Sequence, residues 1–183
     1  MALCRRTLAA FDAEKEVYML KVVDLSYTIT PSTRTIAPES GSSSLSWDTR
    51  LLILAYLTGA TETLPSGKWT SPVEFSGGEL FFSADAHNLK FNDLKQALKS
   101  PEHFLTAGKR VAGKEERIGI GSSSFVLQAL PKIPLLFIYW EGDAELPSKI
   151  SVLVDETARS HLAIDGLWLA IRVSEKRLIQ VAA

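Results

Sequence analysis

Residues 129–155 read ALPKIPLLFIYWEGDAELPSKISVLVD, and the fold turns on how this stretch is read. Residues 134–140 form a short apolar run rich in aromatics, opened by Pro131 and Pro134. Such a run, bounded by turn residues, suits a strand covered on both faces. Proline is tolerated at a strand start, where a missing N–H costs least. Residues 141–147 are polar, with Gly142 and Pro147 as turn punctuation. From Ile150 the chain alternates: Ile150, Val152 and Val154 share one face, and Ser151 and Leu153 take the other. The stretch is an antiparallel hairpin with a long loop, and its first strand is the expected centre of the sheet.

Working outward, 183 residues suffice for one domain whose core stands without covalent staples. We expect a single α+β domain over 1–183, with an N-terminal meander (1–40) and a main body (46–183). The net charge of −1 supplies no general pull toward nucleic acid or acidic lipid. A lone cysteine, Cys4, excludes an internal disulfide framework and a cysteine-based metal cluster. Arg5 and Arg6 precede only a brief apolar patch, too weak for a signal peptide, and no run is long enough to span a bilayer. A soluble, cytoplasmic protein is the expectation.

In chain order, residues 3–14 suggest a short helix of poor pattern. Residues 16–22 and 25–30 are β-branched and aromatic and predict two strands, with a third over 33–36. The polar stretch 39–46 is a loop. Residues 47–58 form a helix that Ser46 or Asp48 caps and Gly59 ends, apolar nearly all round. An all-round apolar helix is expected to be buried, here on the central sheet. Ser71-Pro72-Val73-Glu74 is a capping-box pattern with proline at the first helical position. Residues 79–83 read as extended, 89–99 as a helix, and Ser100-Pro101 opens another to about Val111. Residues 115–120 and 124–129 alternate around Gly121-Ser122-Ser123, a hairpin feeding the central strand. Asp155 is expected to cap a helical turn that follows it, and Asp165 to cap a C-terminal helix over about 165–179. Strands and helices come in blocks, which argues for α+β with a largely antiparallel sheet and packed helices.

Gly119-Ile120-Gly121 begins like a dinucleotide fingerprint, but a strand follows where a helix N-terminus must hold the pyrophosphate. Ser66-Gly67-Lys68-Trp69 resembles the end of a phosphate loop, yet Trp69 stands where the hydroxyl belongs. The expected arrangement there is a turn with Lys68 in solvent and Trp69 packed inside. Glu141, Asp143 and Glu145 make an acidic loop without calcium-loop spacing. Such a loop is either solvated or, joined to Lys68, a general acid/base site. His87, His103 and His161 are widely separated, and surface or interface placement is expected. No metal site is expected. Trp69 and Trp140 are candidates to line a pocket. The candidate ligand-binding residues are therefore Lys68, Trp69, Trp140, Glu141 and Asp143.

Three stretches recur together: Leu57 with Gly67-Lys68-Trp69 and 72–74; Leu130-Pro131 through Trp140-Glu141-Gly142-Asp143; and 152–155 leading to His161-Leu162 and Asp165. Their order and spacing resemble the prokaryotic family called domain of unknown function 3786 over about 51–178. The resemblance implies a free-standing domain from an anaerobic bacterium or archaeon. Some family members are fused to a cysteine-rich iron–sulfur segment, for which this chain has no counterpart. Ala144 and Gly166 stand where the family pattern is more acidic, which weakens the idea of an acidic active site.

Three functions follow as expectations. The preferred one is a non-enzymatic binding or accessory protein linked to anaerobic cofactor or metalloprotein metabolism, with a small molecule or a protein as partner and no identified cofactor. The second is an enzyme combining Lys68 with Glu141 or Asp143. The third is a protein–protein adaptor using an exposed apolar surface.

Overall fold

The computed structural model describes residues 2–39 and 45–182. It is an α+β structure with two antiparallel sheets. The chain opens with α1 (Ala2–Thr7) and then β1 (Ala10–Asp12), β2 (Val17–Val22), β3 (Leu25–Thr30) and β4 (Thr35–Pro38). These strands form a meander in the order β1-β2-β3-β4. The expected meander is present and gains a strand: the helix expected over 3–14 stops at Thr7. Leu8 takes a left-handed backbone (φ 55°) and the chain turns into β1. A helix cannot continue through such a residue. Most of the expected 39–46 loop lies outside the described residues.

Helix α2 (Trp47–Gly59) starts at Ser46, whose hydroxyl accepts the Thr49 N–H at 3.1 Å, as its sequence implied. After the 60–70 segment come β5 (Trp69–Thr70), a 3-10 turn (Pro72–Glu74), α3 (Gly78–Ser83), α4 (Asn92–Ala97) and α5 (Pro101–Arg110). Ser71 caps the turn at Val73, and Ser100 caps α5 at His103, both by accepting a backbone N–H. The extended segment expected over 79–83 is a correction, because α3 occupies it. Gly77 at φ 79° reverses the chain, and Gly78 sits so close to the Pro72 and Val73 carbonyls that a Cβ would lie 2.5 and 2.6 Å from their oxygens. An apolar run of this length does not distinguish strand from helix by periodicity, and here the close backbone approach decides.

The second sheet has the order β5-β9-β8-β7-β6, with β6 (Lys114–Glu115), β7 (Ser123–Leu130), β8 (Ile133–Trp140) and β9 (Lys149–Asp155). Strand β8 is its centre, and every residue of it except Trp140 is buried. The hairpin read from residues 129–155 is therefore present, with Trp140 facing Lys149 and Leu135 facing Val154. Ile150, Val152 and Val154 point into the core. The strand expected over 115–120 shortens to β6.

One face of this sheet is covered by α4, α5 and the long α6 (Ile164–Ala182). Phe104 of α5 lies 4.6 Å from Phe125 of β7 and 5.5 Å from Tyr139 of β8, ring centre to ring centre. Phe91 and Phe125 both pack on Phe137. Each buried aromatic or leucine contributes about 1.5–3 kcal/mol relative to exposure, so this layer dominates the stability. The two sheets meet where the Val23 N–H donates to the Ala129 carbonyl at 3.0 Å. Arg177 of α6 grips Asp24 in the β2–β3 turn with two bonds of 2.8 and 2.7 Å.

Two expectations for α2 need correction. It packs chiefly on α6, and it is not buried on all sides. Leu52, Ile53 and Tyr56 are fully buried, while Trp47, Leu51 and Leu54 are 68, 37 and 46% exposed. A helix with apolar residues all round carries no sequence signal for which face is covered; its neighbours decide. Gly59 closes the helix for a different reason than capping. A Cβ there would come within 2.7 Å of the His161 carbonyl oxygen, and Ala60 forms the cap.

Candidate functional site

Three of the buried polar side chains, Lys132, His161 and Asp155, converge on the 60–67 segment. Lys132, in the β7–β8 turn, is fully buried and donates from Nζ to the carbonyls of Thr61 (2.7 Å) and Arg5 (3.2 Å). His161, only 1% exposed, accepts the Thr61 N–H at Nδ1 (3.3 Å). An accepting Nδ1 puts the imidazole proton on Nε2, which is buried with no partner among the described residues. Asp155 is fully buried at the end of β9. Its carboxylate accepts the N–H groups of Ser66 (3.1 Å), Gly67 (2.7 Å) and Thr157 (2.9 Å), and the Thr157 hydroxyl (2.6 Å). Together these three groups latch the 60–67 backbone to the body. The surface placement expected for His161 is corrected; it is a core residue.

The pKa directions follow this geometry. Burial would raise the Asp155 carboxyl, but the bonds from Thr157, Ser66 and Gly67 outweigh it and hold it below 3.8. Burial lowers His161, and the nearby Lys132 ammonium adds to that, against a smaller pull from Asp155. Burial also lowers Lys132, opposed by Glu62.

The residues singled out from sequence fall at two ends of one strand. Lys68 is exposed and pairs with Glu156 at 3.6 Å. Trp69 in β5 is half-buried, opposite Asp155. At the other end, Trp140 is 37% exposed and its indole N–H donates to the Ser151 hydroxyl at 2.9 Å. Glu141 and Asp143 are exposed in the loop after β8. Asp143 turns its carboxylate back onto the N–H groups of Glu145 and Leu146, both at 2.8 Å, and these bonds lower its pKa. Trp69 faces Asp155 while Trp140 faces Lys149, so the two groups stand six residues apart along β9. At about 3.3 Å per residue that is roughly 20 Å. The structure brings Lys68 to Trp69, and Trp140 to Glu141 and Asp143, but does not bring one pair to the other.

A concavity of a different kind lies between the N-terminal sheet and α2. The antiparallel register lines up Phe11, Tyr18, Ile29 and Ile36 across the four strands, one residue from each. Opposite this row stand Leu54 and Leu57 of α2, with Leu3 of α1 at the end. Tyr18, Ile29, Ile36, Leu54, Leu57 and Leu3 line a groove of about 410 Å³. Phe11 packs on Tyr18, 4.7 Å between ring centres, and is outside the lining. Its polar contributors are the Tyr18 hydroxyl, Thr30, Thr35 and two exposed arginines, Arg34 and Arg50. Neither arginine makes an ion pair among the described residues. Sequence reasoning did not find this site. The available signal was the surplus of leucine on α2, which exceeds what one packed face needs.

The described residues contain no cluster of three or more His, Cys, Asp or Glu side chains able to hold a metal ion. No described helix is long and apolar enough to cross a membrane.

The fold and these sites define a two-sheet α+β domain with a buried polar latch and an apolar groove. The family model described as a domain of unknown function (DUF3786) matches residues 1–175, and the chain belongs to that family. No curated protein and no solved structure matches the chain.

Proposed function

We propose that this protein is a non-enzymatic binding domain whose ligand, a small molecule, occupies the groove between the N-terminal sheet and α2. The observation that carries this reading is the composition of the groove wall. It is apolar and concave, in the size range of small-molecule sites, and it holds no carboxylate, histidine, cysteine or lysine. Its arginines, threonines and tyrosine offer hydrogen bonds, so the wall can bind and orient, but it carries none of the carboxylate, imidazole, thiol or amine groups that most often transfer protons. Four side chains elsewhere with such chemistry are engaged in holding the chain: Asp155, His161 and Lys132 on the 60–67 backbone, and Asp143 on its own turn.

The test uses N-phenyl-1-naphthylamine, an uncharged apolar dye that brightens on leaving water. Saturable one-to-one binding is expected. Leu54→Trp fills the groove from an exposed position and should weaken binding at least tenfold while the far-UV circular dichroism stays unchanged. Unsaturable dye uptake, or equal affinity in the folded variant, refutes the groove as the site.

A further inference from the structure

We propose that the groove's ligand is an anionic amphiphile: an aliphatic chain ending in a carboxylate, with the chain along the Tyr18–Ile29–Ile36 row and the carboxylate on Arg34 and Arg50. This rests on the groove being a binding site and adds the class of molecule it takes.

Three observations lead there. The first is charge. The wall contains two arginines and no acid, and neither arginine is neutralised by a carboxylate among the described residues. Arginine's planar fork matches a carboxylate with two parallel hydrogen bonds, which favours an anion of that shape. The second is shape. The apolar row crosses the strands one side chain per strand, so it is a linear track and not a flat slot. Leu54 and Leu57, three apart on α2, run beside it on the same helix face. A flexible chain follows such a track with one end left at the arginines. The third is exposure. Leu54 is 46% exposed, so the groove presents apolar surface to water. A ligand's aliphatic chain would cover this surface and remove it from water.

Other occupants fit less well. A second copy docked through a two-fold axis would set the same wall against itself, and that wall offers its two arginines no acid. A membrane surface would meet a concave wall with only two cations, on a chain of net charge −1.

Three ten-carbon probes with the same tail separate these cases: decanoate, decanol and decyltrimethylammonium, each titrated by calorimetry below its aggregation threshold at low salt and neutral pH. Decanoate is expected to bind at least tenfold tighter than decanol, and the cation not measurably. Arg34→Gln and Arg50→Gln should each cut the decanoate preference several-fold and the double variant should abolish it, with the far-UV circular dichroism unchanged. Raising the salt should narrow the preference, since both arginines are exposed. Equal binding of decanoate and decanol, or a preference that survives the double variant, overturns the carboxylate assignment while leaving the groove as a site. Failure of all three probes together with the naphthylamine dye overturns both readings. A dimer by light scattering that Leu54→Trp converts to monomer assigns the groove to a second copy and overturns the amphiphile. Sedimentation with anionic vesicles, without binding of dispersed decanoate, does the same in favour of a membrane.

Discussion

Replacing Asp155 with alanine should remove the strongest part of the latch. The carboxylate caps the turn that follows β9 by accepting from Thr157, and it holds the N–H groups of Ser66 and Gly67 from a segment 88 or more residues away in sequence. Loss of a cap costs about 1 kcal/mol. Each charge-assisted hydrogen bond lost costs about 1.5–3 kcal/mol, and the lower figure applies here because Ser66 and Gly67 are exposed and water can replace the partner. The sum is about 4 kcal/mol, a large share of the roughly 5–15 kcal/mol that holds a domain folded. For a chain of this size it corresponds to a fall in Tm of roughly 10 °C. Asp155→Asn should lose about half as much, since one oxygen still accepts while the amide N–H₂ faces another donor. Urea unfolding at neutral pH measures both, and hydrogen exchange at Ser66 and Gly67 reports the latch itself. The sign of the pH dependence is also determined. The folded carboxyl titrates below its unfolded value, so its contribution is complete above about pH 4 and is lost as pH falls through the folded pKa. Wild-type stability should therefore drop more steeply in acid than that of Asp155→Asn. A loss under 1 kcal/mol for Asp155→Ala, or identical acid limbs, would refute this account.

Two further outcomes test the surroundings of the latch. Gly59→Ala replaces a helical glycine, which ordinarily stabilises by about 0.8–1 kcal/mol. Here the new methyl would sit 2.7 Å from the His161 carbonyl oxygen, so the thermal midpoint should fall instead of rise. Lys132→Ala removes the ammonium that joins α1 to the 60–67 segment through Arg5 and Thr61. Hydrogen exchange should accelerate in both segments, with a stability loss of about 2 kcal/mol, and little change in the β7–β8 ladder.

What was legible in the sequence was local. The alternation of Ile150, Val152 and Val154 and the unbroken run into Trp140 define a hairpin by side-chain period alone, and β8 is indeed the buried centre. Ser46, Ser71, Ser100 and Asp155 declared their caps because capping needs only residues two or three apart. The candidate site was less legible. Lys68, Trp69, Trp140, Glu141 and Asp143 stood out as residue types, but their separation along β9 depends on strand register, which no local motif states.

The amino-acid sequence by itself determined the α+β class, the strands of both hairpin systems and most helix starts, because these depend on periodicity and on hydrogen bonds between near neighbours. Only the tertiary structure decided which face of α2 is covered, that residues 79–83 coil into a helix, that His161 is buried beneath Thr61, and that three strands align Tyr18, Ile29 and Ile36 beside Leu54. Those facts depend on which distant surfaces meet. A side chain's chemistry is written at one position, but its surroundings are supplied by residues far along the chain.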